Sequence, residues 1–374
     1  MTSAVAPDER IEWLDAVRAV ALFGVLVVNL VTEFRVSIFQ QFLGLPPASG
    51  LDGILERVVS VGFEQKAFCL FSLLFGVGLA LQYDRLTAAG APLQRLARRL
   101  AVLLVFGLIH VLLIWNGDIL TEYAVAGLLV LTLLPMGLRG LAFGALAAFM
   151  LYLFGPMLLY EVPWPSAGAL EAHVATANEV YANGGLTDKL RFSSRELPLI
   201  LSLHLFVFPR TVALFLLGIL LWRAGVLRRA RASVRPTTVF AVAGISAGGA
   251  LTIAGGAASQ ALAQVVLALG YGAAMIAFSQ LPLGRRFVAA LAPMGRMAFS
   301  NYLLQSIVFG FVFFGYGLGQ FGRMGALPAL VLGVSVYAAQ LVFSAWWLRR
   351  YRFGPLEWLW RTLTYGAAQP MRKG

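Results

Sequence analysis

An all-α, polytopic membrane bundle is the fold class this sequence predicts, with about ten spanning helices and both termini cytoplasmic. Three observations predict it. Of 374 residues, 60% are hydrophobic and only 12% charged, and the mean hydropathy is +0.81. A soluble domain of this length has nowhere to bury that much apolar surface. The apolar residues gather in runs of roughly 20, the length that crosses a hydrocarbon core. Finally, the basic residues crowd into short gaps between the runs. A formal net charge of +12 placed in this way points to topology and anionic lipid, not to a nucleic-acid partner.

Taken in order, the first run, 16–34, reads as a retained span. No small-x-small cleavage site follows it, and Asn29 and Glu33 interrupt its end. In segment 35–65, Pro46-Pro47 reads as a break and Leu51 to Phe63 as an interfacial helix. Runs 66–83, 98–116, 118–135 and 138–159 follow, the middle two joined tightly through Asn116-Gly117. The segment from Glu161 to Glu196 has Pro163-Trp164-Pro165 and then helical spacing from Leu170 to Tyr181. It predicts one or two short helices on the extracytoplasmic surface. Runs 206–224, 237–255, 260–281, 297–317 and 327–348 complete the set, with Pro209 expected to break a lead-in helix from the sixth span. Loops 84–99, 223–236 and 282–296 and the tail carry the arginines, and ten spans put them all on the side of the amino terminus. The positive-inside rule makes that side cytoplasmic. The tail, 351–374, should be interfacial, with Pro355 in a first helical turn and Trp358 and Trp360 at headgroup level.

The whole chain, 1–374, therefore reads as one transmembrane domain with its basic loops on the cytoplasmic side. Its glycine spacing (Gly244, Gly248, Gly249, Gly255, Gly256, and Gly76-x-Gly78) reads as helix packing, not phosphate binding. The one cysteine, Cys69, allows neither an internal disulfide nor a metal cluster.

Ionisable residues inside a bilayer are costly and usually mark a site. His110 lies roughly 9 Å below the Asn116-Gly117 hairpin and Glu122 roughly 6–8 Å below it, on antiparallel neighbours. A carboxylate against an imidazole fixes its tautomer and raises its basicity, as a general base requires. The plainer alternative is a histidine bonded to a backbone carbonyl, with Glu122 at the interface. Asp118 reads as the N-cap of the fourth span. Asp15 and Arg18, one turn apart, read either as a local pair at the inner end or with Arg18 as a phosphate contact. Asn29 and Glu33 share a face near the outer end of the first span. Glu64 and Arg210 lie near the outer ends of the second and sixth, where Arg210 could neutralise Glu33 or Glu64 or hold an acidic substrate. His173 reads as exposed. Asn301, Gln305 and Ser306 begin the ninth span on the cytoplasmic side.

Several segments resemble the YeiB-like family, bacterial membrane proteins carrying a domain of unknown function. They are Arg10-Ile-Glu-Trp-Leu-Asp15-Ala-Val-Arg18 leading into Gly24-Val-Leu-Val-Val-Asn29, Phe71-Ser-Leu-Leu-Phe-Gly76-Val-Gly78, and Gly107-Leu-Ile-His110 to Gly117-Asp118-Ile-Leu120. Asn301-Tyr-Leu-Leu-Gln305-Ser306 and the closing Phe353-Gly-Pro-Leu-Glu357-Trp-Leu-Trp-Arg361 extend the likeness over nearly the whole chain. That family is similar to transmembrane acyltransferases: the lysosomal heparan-glucosaminide acetyltransferases and the acyltransferase-3 sugar O-acylators. Many acyltransferase-3 proteins carry Arg, ten residues and His along the first span. Here Arg18 matches the Arg, Asn29 stands where the His would be, and no histidine intervenes before His110.

The resemblance implies an acyl-CoA donor, acetyl-CoA in the simplest case, with no tightly bound cofactor or metal. Arg18, Asn301 and Gln305 would bind the donor, and Glu33, Glu64 and Arg210 an extracytoplasmic glycan or small-molecule acceptor. His110 would be the base, Glu122 would orient it, and Asn29 would hold the developing oxyanion. Lipid is the other expected partner, and a homodimer is compatible with such a chain. The rival expectation is a proton-coupled transporter or flippase, since buried His and carboxylates also suit a proton path.

Overall fold

A computed structural model describes residues 11–45, 48–87, 90, 92–158 and 162–373. The expectations at Arg10, Pro46-Pro47 and Glu161 lie outside the described residues. The fold is an all-α membrane bundle. Among the described residues eight helices are long and apolar enough to span, and two shorter apolar ones, Leu120–Leu131 and Ala298–Phe313, stand at the other expected runs.

Helix α1 (Glu12–Asn29), extended by a π-helical turn (Leu30–Phe34), is the central strut. It is buried along almost its whole length, because small residues such as Ala16, Ala19, Ala21 and Gly24 let neighbours come close. A Cβ at Gly24 would stand 2.8 Å from that of Ala67. Helix α2 (Gly50–Gly62) is the expected interfacial helix. Its apolar side chains Leu51, Ile54, Val58 and Val61 are exposed, as for a face turned to lipid. Helices α3 (Lys66–Thr87), α4 (Pro92–Ile109, with a π turn His110–Ile114), α5 (Leu120–Leu131) and α6 (Leu138–Leu158) follow.

Segment 162–196 carries the expected helix over Leu170 to Tyr181. It holds α7 (Ala167–Asn183), capped by Ser166 accepting from Ala169 N at 3.4 Å, and then the first turns of α8 (Leu186–Arg223). Leu170, Val174, Ala177, Tyr181, Lys189, Phe192 and Glu196 are buried, so this segment plugs the end of the bundle and does not lie loosely upon it. Helix α8 also runs unbroken through Pro198 and Pro209, against the expected break. Proline costs a helix one backbone bond and some strain, but packing against α3, α5 and α6 keeps this one continuous. The α3–α8 contact is backbone on backbone. A Cβ at Gly76 would lie 2.2 Å from the Phe215 carbonyl oxygen, and one at Gly218 2.2 Å from that of Leu73.

The short α9 (Val226–Ala232) leads to the hairpin of α10 (Val234–Ala254) and α11 (Ala257–Phe278). Gly244 and Gly248 form its seam, against Gly270 and Leu267, while Gly255 and Gly256 take positive φ in the turn. Helices α12 (Pro282–Arg296), α13 (Ala298–Phe313), α14 (Ala326–Arg350) and α15 (Pro355–Tyr365) complete the chain. One apolar core runs from Trp13 to Tyr337, and a small satellite of Phe39, Leu170, Val174 and Ile200 lies under α7.

The arginine-rich segments gather at one end, here the basic end. There α3 and α8 finish together, Trp222 Nε1 donating to Asp84 at 3.1 Å. Helix α15 begins at Pro355 as expected, and Glu357 accepts from Phe299 N (2.9 Å), Ser300 N (3.0 Å) and the Ser300 hydroxyl. It thus caps the start of α13.

Candidate active site

The site forms where two π turns meet at the far ends of α1 and α4. A π turn squeezes an extra residue into a helix and is found mostly at functional positions. Phe34 ends the first and stacks at 4.1 Å on Trp115, which follows the second in extended conformation. Gly117 is required beneath that indole, since a Cβ there would lie 2.2 Å from the Trp115 ring. Lys189, buried, donates at 2.9 Å to the Ile114 carbonyl that the end of the turn leaves open.

His110 opens the second π turn and is 0% exposed. Its Nδ1 lies 2.8 Å from Asp118 Oδ1 and its Nε2 2.9 Å from the Ser306 hydroxyl on α13. Asp118 also accepts from Leu120 N (3.1 Å) and Thr121 N (2.7 Å), as the expected N-cap of α5. Two backbone N–H groups already donate to Asp118, and in the tautomer that completes this set Nδ1–H donates to it as well. Nε2 is then the acceptor, and the single Ser306 hydroxyl proton has two acceptors in reach, Nε2 at 2.9 Å and the Tyr302 carbonyl at 3.2 Å. The order Ser–His–Asp, with these ring nitrogens in these roles, is the arrangement that activates a serine nucleophile.

The expected His110–Glu122 pair does not form. Helix α5 starts at Leu120, so Asp118 precedes it and folds back over α4, whereas Glu122 is carried round to α8. There Glu122 accepts from Thr211, and its carboxylate lies 3.8 Å from His204 Nε2. Nor does His110 line a pocket open outward: Trp115 and Tyr302 close over it. A groove of about 630 Å³ lies elsewhere, along α2 between Gly53, Ile54, Arg57 and Val58.

Other candidates fall into separate groups. Asn301 and Gln305 do not face a donor mouth. Their amide nitrogens bond Ser344 (3.0 Å) and Gln340 (2.8 Å), so both buried amides are engaged in tying α13 to α14. Arg210 does not neutralise Glu33 or Glu64. It donates to Gln65 and Gln264, both at 2.8 Å, and Gln65 adopts φ 62° beside it. Glu33 and Glu64 lie within range of each other's charge. Asn29, one turn before Glu33, is buried with its Oδ1 unpaired. Arg18 pairs with Asp15 at 2.7 Å.

Sequence reasoning missed a second buried network. Glu196 on α8 accepts from Asn116 (2.6 Å), from Tyr181 and from His173 (2.8 Å). His173 is therefore held, not free, and burial together with the Glu196 charge pushes the Tyr181 phenol well above its ordinary range. The sequence signal lay in helical spacing alone, which does not say that α7 folds onto the hairpin.

A family profile described as "Protein of unknown function (DUF418)" matches residues 221–367. The protein "Uncharacterized protein YxaH" of Bacillus subtilis (strain 168) is 30% identical over 392 residues, covering 98% of this chain and 97% of that one. The chain belongs to the DUF418 family. "Uncharacterized protein YeiB" of Escherichia coli (strain K12) is 28% identical over 413 residues, 97% of this chain and 98% of its own. The YeiB-like resemblance thus extends over the full length. Within the DUF418 match lies Ser306; His110 and Asp118 precede it, in the part spanned by the full-length relatives.

Proposed function

We propose that this DUF418 protein is a multi-pass acyltransferase of the bacterial cytoplasmic membrane, moving an acyl group from cytoplasmic acyl-CoA to an extracytoplasmic hydroxyl or amine. One observation carries the reading: the buried Ser306–His110–Asp118 relay. Asp118 holds Nδ1–H and stabilises the imidazolium that forms. His110 Nε2 takes the Ser306 proton as Oγ attacks the thioester carbonyl, and the leaving thiolate takes that proton back. An acceptor hydroxyl then attacks the acyl-serine, with His110 again the base, and Ser306 is restored. Asn29 is proposed to accept a hydrogen bond from the acceptor's hydroxyl or amine, because its Oδ1 is buried without a partner among the described residues. Parting of the Phe34–Trp115 stack would admit the substrates.

The test is purified protein in detergent with labelled acetyl-CoA. We expect label on Ser306 by peptide mass spectrometry, lost in Ser306→Ala and His110→Ala. Turnover that survives Ser306→Ala would remove the serine from the mechanism, and no thioester cleavage with any acyl chain would sink the reading. Two glutamates within range of each other's charge, Glu33 and Glu64, favour a second one, proton-coupled transport. Proton uptake by proteoliposomes that disappears in Glu33→Gln, with no thioester chemistry, is what that reading requires.

A further inference from the structure

At the basic end three helices bring guanidinium groups together with little acid among them. Arg95, Arg98 and Arg99 lie in the first turns of α4, with Arg95 and Arg99 one turn apart on one face. Arg361 comes from α15 and Arg18 from α1. Arg99 feels the positive charges of Arg361 and Arg18 and, more weakly, the negative charge of Glu357. Like charges at this range repel, and more strongly where water is displaced.

The local contacts hold these groups flat without neutralising them. Arg99 lies 3.6 Å over the Trp360 ring, whose Nε1 donates to the Arg99 carbonyl at 2.8 Å. Arg361 lies 4.8 Å from the Phe353 ring and 5.5 Å from that of Tyr365. Glu357 is engaged by α13, and Asp15 pairs with Arg18. Among the described residues no carboxylate forms an ion pair with Arg95, Arg98, Arg99 or Arg361. Two of their donors, Arg95 Nη1 and Arg361 Nε, are buried with no acceptor among the described residues. Buried orphan donors are rare in folded proteins and each asks for a missing partner. Planar guanidiniums held in place by aromatic rings suit one partner best, the oxygens of a phosphate.

We propose that Arg95, Arg98, Arg99 and Arg361, with Arg18 beside them, form a binding site for a phosphate or diphosphate group. The anion is carried either on a soluble nucleotide-like molecule or on an anionic lipid headgroup. Its identification with the diphosphate of the acyl donor rests on the acyltransferase reading, while the anion site itself does not.

The experiment uses the full-length protein in neutral detergent, titrated by calorimetry with inorganic pyrophosphate and with coenzyme A. A parallel arm adds phosphatidylglycerol and reads bound lipid by native mass spectrometry. We expect binding in one arm, weakened about tenfold or more by Arg99→Gln and by Arg361→Gln, the loss of one or two charge-assisted hydrogen bonds. Arg286→Gln, at an exposed arginine of α12, should bind as the parent does. If a glutamine variant fails to fold, Arg361→Lys keeps the charge, loses the fork, and should still bind more weakly. Binding of pyrophosphate or coenzyme A assigns the soluble source; binding of lipid alone assigns the headgroup. No binding in either arm, or an equal loss in Arg286→Gln, overturns the site. Ser306→Ala should bind the anion normally, so anion binding without acyl transfer would leave the site standing and remove only the acyltransferase reading.

Discussion

Glutamine at position 110 would keep a donor for Asp118 and lose the proton acceptor that Ser306 now meets. His110→Gln should therefore fold with an unchanged elution profile and lose thioester cleavage, a split that a purely structural histidine would not give. Gly117 tests the local geometry. With the Trp115 ring 2.2 Å from its would-be Cβ, Gly117→Ala must displace the indole and the stack on Phe34. We expect a loss of about 1–3 kcal/mol, the usual cost of overpacking, read as a lower thermal midpoint. An unchanged midpoint would show that the indole is not seated as described. At this scale the sequence was only partly legible. His110 stood out as an ionisable residue in an apolar run, and Asp118 as a cap. What joined them was hidden, because a cap points wherever the first turn of its helix sends it. Ser306 was hidden further still, being 196 residues from His110 in the chain and unremarkable beside Asn301 and Gln305.

Helix α15 shows how one element is fixed by a charge. Burial raises the Glu357 carboxyl above its usual 4.5, against the opposing pull of three donated hydrogen bonds. The folded state then holds this proton more tightly than the unfolded one, so stability from this group falls as pH rises above about 4.5 through the raised value. Glu357→Gln keeps the Oε1 acceptor for Phe299 and Ser300 and has no proton to lose. Its thermal midpoint should change less than the parent's across that range, and parallel profiles would refute the assignment. Element boundaries were mostly legible, since apolar runs set helix lengths directly. The unbroken α8 was not, because a proline is judged by its neighbours in space and these were unknown. The π turns were not legible either, as one inserted residue leaves no mark on hydrophobic periodicity.

For the whole molecule, the arginine-rich segments share one end, and cysteines at Ser166 and Ser233 should label from opposite sides of intact cells. Both positions are exposed, so access is not limiting, and labelling from the same side would refute the alternating topology. The bundle was the most legible feature of all, because a bilayer admits few ways to satisfy a backbone. The plugs at its two ends were not foreseen as plugs: α7 and the start of α8 close one end, and α15 closes the other over α4 and α13. These plugs bear on the electrical behaviour of the membrane. An imidazole between a carboxylate and a hydroxyl is a ready stepping stone for protons, and a cell that keeps a voltage across its membrane cannot tolerate a wet path through it. The intact chain should therefore be as proton-tight as lipid alone. Truncation after Arg352 removes the plug at the basic end, and whatever folds should let a pH gradient across liposomes decay faster. An equally slow decay would show that the insulation lies elsewhere.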